Sequence, residues 1–581
     1  MEFLRKPISE GTLPAPPAGR AHGQPGQGQL QSGYERFTGY SQSINKPEEI
    51  DSLRVTPRGA GSTAAKLFTA LLLSVTCANL WAGPRAERVV VVVWDGMRPD
   101  FVSASNTPTL MTLIRDGVLF EKHHPAYIST TEVNGTTLAT GAYPSLSTII
   151  GNKEYRPGID ASKIVQTEAL STVRTGDEQD HGSYLGVPTV AETLRHAGLS
   201  TAIAGAKGVT LLHDRAARDS EAEGVNVFAG DALPKRYAAK LRAELGPFPD
   251  EEHSLARDEW TTRALTGVLW EKAVPTFSLL WLCEPDYSQH VTGPGSPESL
   301  AAIRHSDEQL ALVLAALEKK GLRQTTDVLV VSDHGFSTID QNADVAAALR
   351  AEGIDATRAP GGRTPREGEV VVVGNGGSVF LYVAGHDRAV IERAVRSLQS
   401  QPYCGVVFTA QGLPGTFRLQ EVRIDSPYAP DVVMATRWRD EASERGAPGL
   451  LFSDYGAYGH GAGMHGSLSR YDMHNLCVAS GPHFQRGIKS EIPSGNIDIA
   501  PTIFSLLGAR PLRTPSGRVL TEAFASPGVP APPVHTHTLE TSFETEDFTW
   551  RQYLKYTEVN GVLYFDEGNG QQVPRARVGG S

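Results

Sequence analysis

Six residues of this chain have the side-chain types and the placement to hold divalent metal ions. Asp95 closes the apolar run of ERVVVVVWD, Asp286 and His290 stand in EPDYSQH at a D-x-x-x-H spacing, and Asp333 and His334 are adjacent in VVSDHG. His465 lies in the glycine-rich stretch GAGMHGS. Three carboxylates and three imidazoles suit two zinc-like divalent ions, with manganese or iron as other occupants of the same ligands. A pair of such ions can clamp the attacking and leaving oxygens of an in-line phosphoryl displacement. Singly, each piece is weak. A strand-end aspartate commonly caps a helix, DHG is a common turn, GMHG can be a plain loop, and D-x-x-x-H often faces solvent. Their order along one chain carries the reading.

The elements that must position them follow from hydrophobic pattern. ERVVVVVWDG, STAIAGAKG, PTFSLLWLCEPD and TDVLVVSDHG are short buried-strand runs, with the helical patterns VAETLRHAGL and SLAAIRHSDEQLALVLAALEKKG between them. This alternation predicts an α/β fold with a mainly parallel central sheet flanked by helices. Asp95, Asp286 and Asp333 each follow such a strand, and ligands bind beyond the carboxyl ends of strands in open α/β sheets. Between about 337 and 449 a mixture of helices (ADVAAALRAEG, RAVIERAVRSLQS) and strands (EVVVVGNG, SVFLYVAG) predicts a small inserted α+β subdomain. Core patterning resumes at GNIDIAPTIFSLLGARP, giving a catalytic domain over 83–526; PGVPAPPVHTHT then reads as a Pro-rich linker, and 527–581 ends in a short strand-rich tail.

The 581 residues, 40% hydrophobic and 20% charged, describe an ordinary globular chain. A net charge of −11 argues against a stable nucleic-acid partner, which needs a basic face. It is compatible with a small anionic substrate, because bound divalent cations reverse the field within a site. Cys77, Cys283, Cys404 and Cys477 form no metal or disulfide spacing. Residues 1–54 are rich in Gly, Pro, Ser and Gln without an apolar period, and read as disordered or as an over-extended start, with translation beginning at Val55. Residues 55–82 carry Arg58 and Lys66, the apolar stretch Leu67–Val75 and small Ala82, the order of a signal peptide. A bilayer span wants about 20 apolar residues, so the expectation is a periplasmic or secreted protein with no membrane span after cleavage. A cytoplasmic tail with one anchor helix is the alternative.

WDGMRPD, STTEVNGTTLATGAYP, EPDYSQHVTGP, VVSDHG, GMHGS and NIDIAPTIFSLLG resemble the alkaline phosphatase superfamily. Within it the chain most resembles the type I phosphodiesterase / nucleotide pyrophosphatase family, from about Glu87 to Pro511. The resemblance implies an alkaline phosphatase-like core and a threonine nucleophile three residues before an asparagine, followed by T-G-x-x-P. Thr131, Asn134, Thr140, Gly141 and Pro144 match that pattern. It implies one metal on Asp95, Thr131, Asp333 and His334, and the other on Asp286, His290 and His465. Thr131 would then attack phosphorus to form a phospho-threonine intermediate, and the Asn134 amide would donate to a non-bridging oxygen, with the Thr131 backbone N–H as a second donor. By residue type alone, Ser129 and Thr130 are alternative nucleophiles; the family spacing favours Thr131. Family members carry an aromatic–proline pair where this chain has Glu132 and Val133, a departure that bears on specificity.

The implied function is hydrolysis of phosphodiester or pyrophosphate bonds in a small phosphate-ester substrate, a nucleotide or another diester. Hydrolysis of a phosphonate or a phosphate monoester on the same scaffold is the alternative. A non-catalytic binding protein would have lost a ligand or the nucleophile, and none is missing. The insertion and the loop from Asn152 to Pro188 are expected to shape the specificity pocket. Lys207 reads as a surface lysine, with a substrate phosphate as its other partner. Asp307 reads as a capping or solvated acid, His460 as a loop residue, and His535 and His537 as a chelating-looking pair in a linker. The Asn134-Gly135-Thr136 sequon falls in the proposed site, a poor place for a glycan. TEVNG recurs at Thr557–Gly561, where Asn560-Gly561 between two strand patterns predicts a hairpin turn.

Overall fold

A computed structural model describes residues 85–575 apart from 219, 221–223, 251–252, 457 and 526–529. The readings made above for residues 1–54 and 55–82 lie outside the described residues. The core is a nine-stranded mixed sheet with five adjacent parallel strands, of which four frame the site: β1 (Arg88–Trp94), β2 (Thr201–Gly205), β3 (Phe277–Leu282) and β4 (Thr326–Val331); the fifth, Val225–Phe228, lies beside β2. Their spatial order is β4-β1-β3-β2, with Val91 of β1 opposite Leu329 on one side and Leu279 on the other. Cys477–Ser480 adds antiparallel beside β4.

The valine run explains why β1 is central. β-Branched residues favour the pleated conformation, and a strand buried on both faces must be apolar on both. Val89, Val91 and Val93 enter one core and Val90, Val92 and Trp94 the other. Each fully buried valine contributes roughly 1.5–3 kcal/mol, so the run is well able to anchor the buried Asp95 that follows it. Four helices matter to the site: α1 (Thr131–Thr140), α2 (Asp286–Thr292), α3 (Pro297–Lys319) and α4 (Ile499–Leu507). α4 covers the first core with Ile499, Ile503 and Phe504, and α3 covers the second with Ile303, Leu310 and Val313.

The chain from Ser337 to Met464 forms two further sheets, the second reaching beyond residue 449 through Pro448–Asp454 and Gly463–Met464. Strands between Ala356 and Thr436 build a six-stranded sheet with two helices, Val345–Ala351 and Arg388–Gln399, against one face. Its other face, through Val371, Phe380, Phe408 and Val433, packs on Tyr127, Ile128 and Val133, the segment that carries Thr131. A four-stranded sheet pairs Ser337 with Met464 and so returns the chain to His465 beside the end of β4. The three C-terminal strands, Val534–Glu544, Phe548–Val559 and Val562–Pro574, form a meander whose Trp550, Leu554 and Phe565 pack into the insertion's cores. Strand structure therefore starts at Val534, inside the stretch expected to be linker, and His535 and His537 lie on it. The Asn560-Gly561 turn forms as expected, with φ of 52° and 83°. Among the described residues, no helix is long and apolar enough to cross a membrane.

Candidate active site

The ends of β1, β3 and β4 deliver Asp95, Asp286 and Asp333 to one place, all essentially without solvent exposure. Asp95 follows β1 directly; Asp286 opens α2, with His290 one turn on. Gly96 has φ of 70°, and a Cβ there would stand 3.0 Å from the Phe336 ring and 3.1 Å from Asp286 Cβ. Glycine is thus required for the turn by conformation and by space. Its N–H donates to Asp333 Oδ1 at 3.0 Å, tying the ends of β1 and β4 together.

The three histidines share one arrangement. Nδ1 pairs with a backbone carbonyl in each: His290 with Gly463 at 3.0 Å, His334 with Gly335 at 3.0 Å, and His465 with Ser129 at 2.9 Å. A carbonyl can only accept, so Nδ1 carries the hydrogen and a neutral ring presents its Nε2 lone pair. Burial pushes His334 and His465 below the ordinary histidine range, which keeps these rings neutral. Their rings stack, with centroids 3.6 Å apart. Nε2 of His290 and of His465 lie 3.3 and 3.6 Å from Asp286 Oδ1, and Nε2 of His334 lies 3.2 Å from Asp333 Oδ2 and 3.6 Å from Asp95 Oδ1.

Those three carboxylate oxygens, Asp95 Oδ1, Asp286 Oδ1 and Asp333 Oδ2, are buried and have no hydrogen-bond partner. Orphaned buried oxygens are costly unless something charged meets them. Burial and the neighbouring Asp333 push Asp95 well above the usual carboxylate range, and burial lifts Asp333 to about 7. Burial also opposes ionisation of Asp286, but Lys207 and His290 outweigh it and hold that carboxyl well below its ordinary value. Unpaired carboxylate oxygens converging with imidazole lone pairs are the donor set that divalent metals take. In two groups of three, Asp286, His290 and His465, and Asp95, Asp286 and His334, the ligand atoms lie within 4.8 Å of one another, so Asp286 stands in both.

Thr131 is the first residue of α1 and only 3% exposed. Its Oγ1 lies 3.3 Å from His334 Nε2, at the edge of this group. Ser129 Oγ donates instead to the Ser467 carbonyl at 2.9 Å, and Thr130 occupies the helix-cap position. Of the three neighbouring hydroxyls, Thr131 is the one that meets a metal-ligand candidate.

The expected role of Asn134 needs correction. Its Nδ2 donates to the carbonyls of Ala126, Ile128 and Thr130, and its Oδ1 accepts from Ala126 N–H and Asn496 Nδ2. Asn134 therefore clamps the loop that presents Thr131, and its amide has nothing left for a substrate. Asn496 extends the clamp by donating to the Asp333 carbonyl at 2.6 Å. Sequence reading missed that link, although NID opening the last core helix was the signal. Asn152, expected only to open a pocket-shaping loop, accepts at Oδ1 from the Glu132 N–H at 3.2 Å; among the described residues its Nδ2 is unengaged.

The remaining readings resolve simply. Lys207 is not a surface residue: its side chain is 12% exposed and ion-paired to Asp95 and Asp286. Asp307 caps the helix Pro108–Arg115 by accepting from Thr109 and Leu110 N–H, both at 2.8 Å. His460 is an exposed loop residue held to the Asp340 carbonyl. His535 and His537 join no candidate metal group among the described residues. Glu132 buries its carboxyl at the site, and burial and Glu168 push it well above the usual range.

The model of the type I phosphodiesterase / nucleotide pyrophosphatase family matches residues 89–467, about two thirds of the sequence. The chain belongs to that family. Within this phosphodiesterase family it is 26% identical over 257 residues to human ectonucleotide pyrophosphatase/phosphodiesterase family member 1, covering 44% of this chain and 24% of that protein. To the mouse family member 7 it is 23% identical over 285 residues, covering 49% and 57%. The chain thus spans a quarter to a little over half of these relatives. Mouse ectonucleotide pyrophosphatase/phosphodiesterase 5, solved as an inactive variant with AMP, shares the fold at a TM-score of 0.53 and 17% identity, covering 76% of this chain and all of that one. The alkaline phosphatase-like core expected from the sequence is therefore present.

Proposed function

We propose that this family member hydrolyses phosphodiester or pyrophosphate bonds of a small substrate such as a nucleotide, through a covalent phospho-threonine at Thr131. One observation carries the reading: Thr131 Oγ1 stands at the rim of a buried cluster in which three partnerless carboxylate oxygens meet three imidazole Nε2 atoms. Asp95, Asp333 and His334 would hold one divalent ion with Thr131, and Asp286, His290 and His465 the other; zinc suits this nitrogen-and-carboxylate set. When bound, two such ions favour deprotonation of hydroxyl and water and stabilise the charge on the leaving oxygen.

The chain's own groups do the rest. Thr131 Oγ attacks phosphorus as the bond to the leaving alcohol or phosphate breaks; water then attacks the phospho-threonine and restores the hydroxyl. The N-terminus of α1 places the positive end of a ten-residue helix beneath the transferred group, where negative charge is favoured. Asn152, oriented by the Glu132 N–H, supplies the amide donor for a non-bridging oxygen in place of Asn134. Losing one such donor costs about 2.7–4 kcal/mol of barrier. Asn152→Ala is expected to lower kcat by roughly 10²–10³-fold with the fold intact, and steady-state kinetics checks it.

The relatives support this chemistry: a mouse bis(5'-adenosyl)-triphosphatase is 21% identical over 258 residues, 44% of this chain and 49% of that protein. A bis-aryl phosphodiester is expected to be cleaved faster than the matching monoester, and a chelator to stop both. Cleavage confined to monoesters or phosphonates would transfer the assignment to that alternative. Export through residues 55–82 to the periplasm or medium is part of the proposal, and N-terminal sequencing of the mature protein checks it.

A further inference from the structure

Lys207 touches the Oδ2 oxygens of two carboxylates that the proposed function assigns to different metal sites. Its Nζ lies 3.0 Å from Asp95 Oδ2 and 2.5 Å from Asp286 Oδ2, while Oδ1 of each residue faces the imidazoles. Trp281 Nε1 also donates to Asp95 Oδ2, at 2.8 Å, so that carboxylate is gripped from behind by two donors and Asp286 by one ammonium. The lysine reaches this place from the loop after β2, and its Nζ lies 4.9 Å from the centroid of the Tyr287 ring.

We propose that Lys207 is a positioning residue shared by the two metal sites, fixing Asp95 and Asp286 so that one oxygen of each is presented to an ion. A carboxylate has two equivalent oxygens and rotates freely unless one is held. A cation bonded to both rear oxygens removes that freedom in both sites at once. It also places one positive charge among three buried carboxylates, so the ligands stay in register before any ion arrives. Groups that orient metal ligands in this way typically change affinity 10–100-fold when removed. Trp281, which donates to Asp95 and not to Asp286, acts on one site only.

The inference rests on the two-metal reading, and one experiment separates them. Metal-stripped protein is titrated with Zn²⁺ against a competing chelator, for the wild type, Lys207→Met, Lys207→Arg and Trp281→Phe. The wild type is expected to take up two ions. Lys207→Met should weaken both by about 10–100-fold, Lys207→Arg should recover most of that loss, and Trp281→Phe should weaken one site alone. If Lys207→Met does not fold by circular dichroism, Lys207→Gln, which keeps a donor without charge, takes its place with the same expectation. Unchanged or tighter binding in the lysine variant overturns the inference, as does weakening confined to one site. A wild type that takes up fewer than two ions overturns the two-metal reading instead.

Discussion

Thr131→Ala is expected to lower turnover of a phosphodiester by at least about 10⁴-fold, the scale on which a catalytic nucleophile is lost, while leaving the protein folded. The structural cost is small for a definite reason. Thr131 lies inside α1 and not at its cap position, and its hydroxyl has one hydrogen-bond contact among the described residues, to His334. What disappears is the oxygen that would bond to phosphorus. Thr131→Ser keeps that oxygen and is expected to retain measurable activity. Thr130→Ala and Ser129→Ala should each stay well above the Thr131→Ala level, because the Ser129 hydroxyl is committed to the Ser467 carbonyl, its contact with His465 runs through the backbone carbonyl that Ser129→Ala keeps, and the Thr130 hydroxyl has no hydrogen-bond partner among the described residues. Turnover by Thr131→Ala close to that of the wild type would remove the nucleophile from this account.

Exhaustive removal of divalent ions is the second large effect. It is expected to reduce kcat by more than about a thousandfold, since attack and departure both lose their charge stabilisation, and to lower Tm by several degrees. The stability change follows from the same three orphaned oxygens. Without ions, the buried carboxylates of Asp95, Asp286 and Asp333 sit together, and the Lys207 ammonium is ion-paired to two of them, Asp95 and Asp286. An ion present at a thousand times its Kd stabilises the folded state by about 4.1 kcal/mol per site. Differential scanning calorimetry of stripped and refilled protein, with activity measured on the same samples, checks both halves. Full activity and unchanged Tm after stripping would contradict the metal assignment.

The Asp/His cluster that would hold metal is legible in the sequence because strand ends leave a clear trace. A run such as VVVVVWD can be buried on both faces only in a central strand, so its acid must emerge at the sheet edge. Asp286 and Asp333 obey the same rule: Asp95 and Asp333 both meet His334, and Asp286 meets His290 and His465. Contacts made across long sequence distances were not legible. Lys207 reads as a surface residue because the two carboxylates it bridges are 112 and 79 residues away. The resemblance puts Asn134 on substrate through the family's pattern of a threonine three residues before an asparagine, whereas its amide is consumed by carbonyls of its own loop. Asn152 lies 21 residues beyond Thr131, at the start of an irregular loop without periodicity to fix its direction. The linker reading of VHTHT failed for a related reason: proline-rich flanks masked a strand whose polar residues face outward on a C-terminal meander.

The central claim is a double displacement at phosphorus, and stereochemistry tests it without reference to any one side chain. A phosphorothioate diester of known configuration, cleaved by the metal-replete enzyme in heavy-oxygen water, is analysed for the configuration of the released monoester. Two in-line displacements, first by Thr131 and then by water, predict overall retention. Inversion would mean that water attacks the substrate directly, and would contradict the phospho-threonine intermediate.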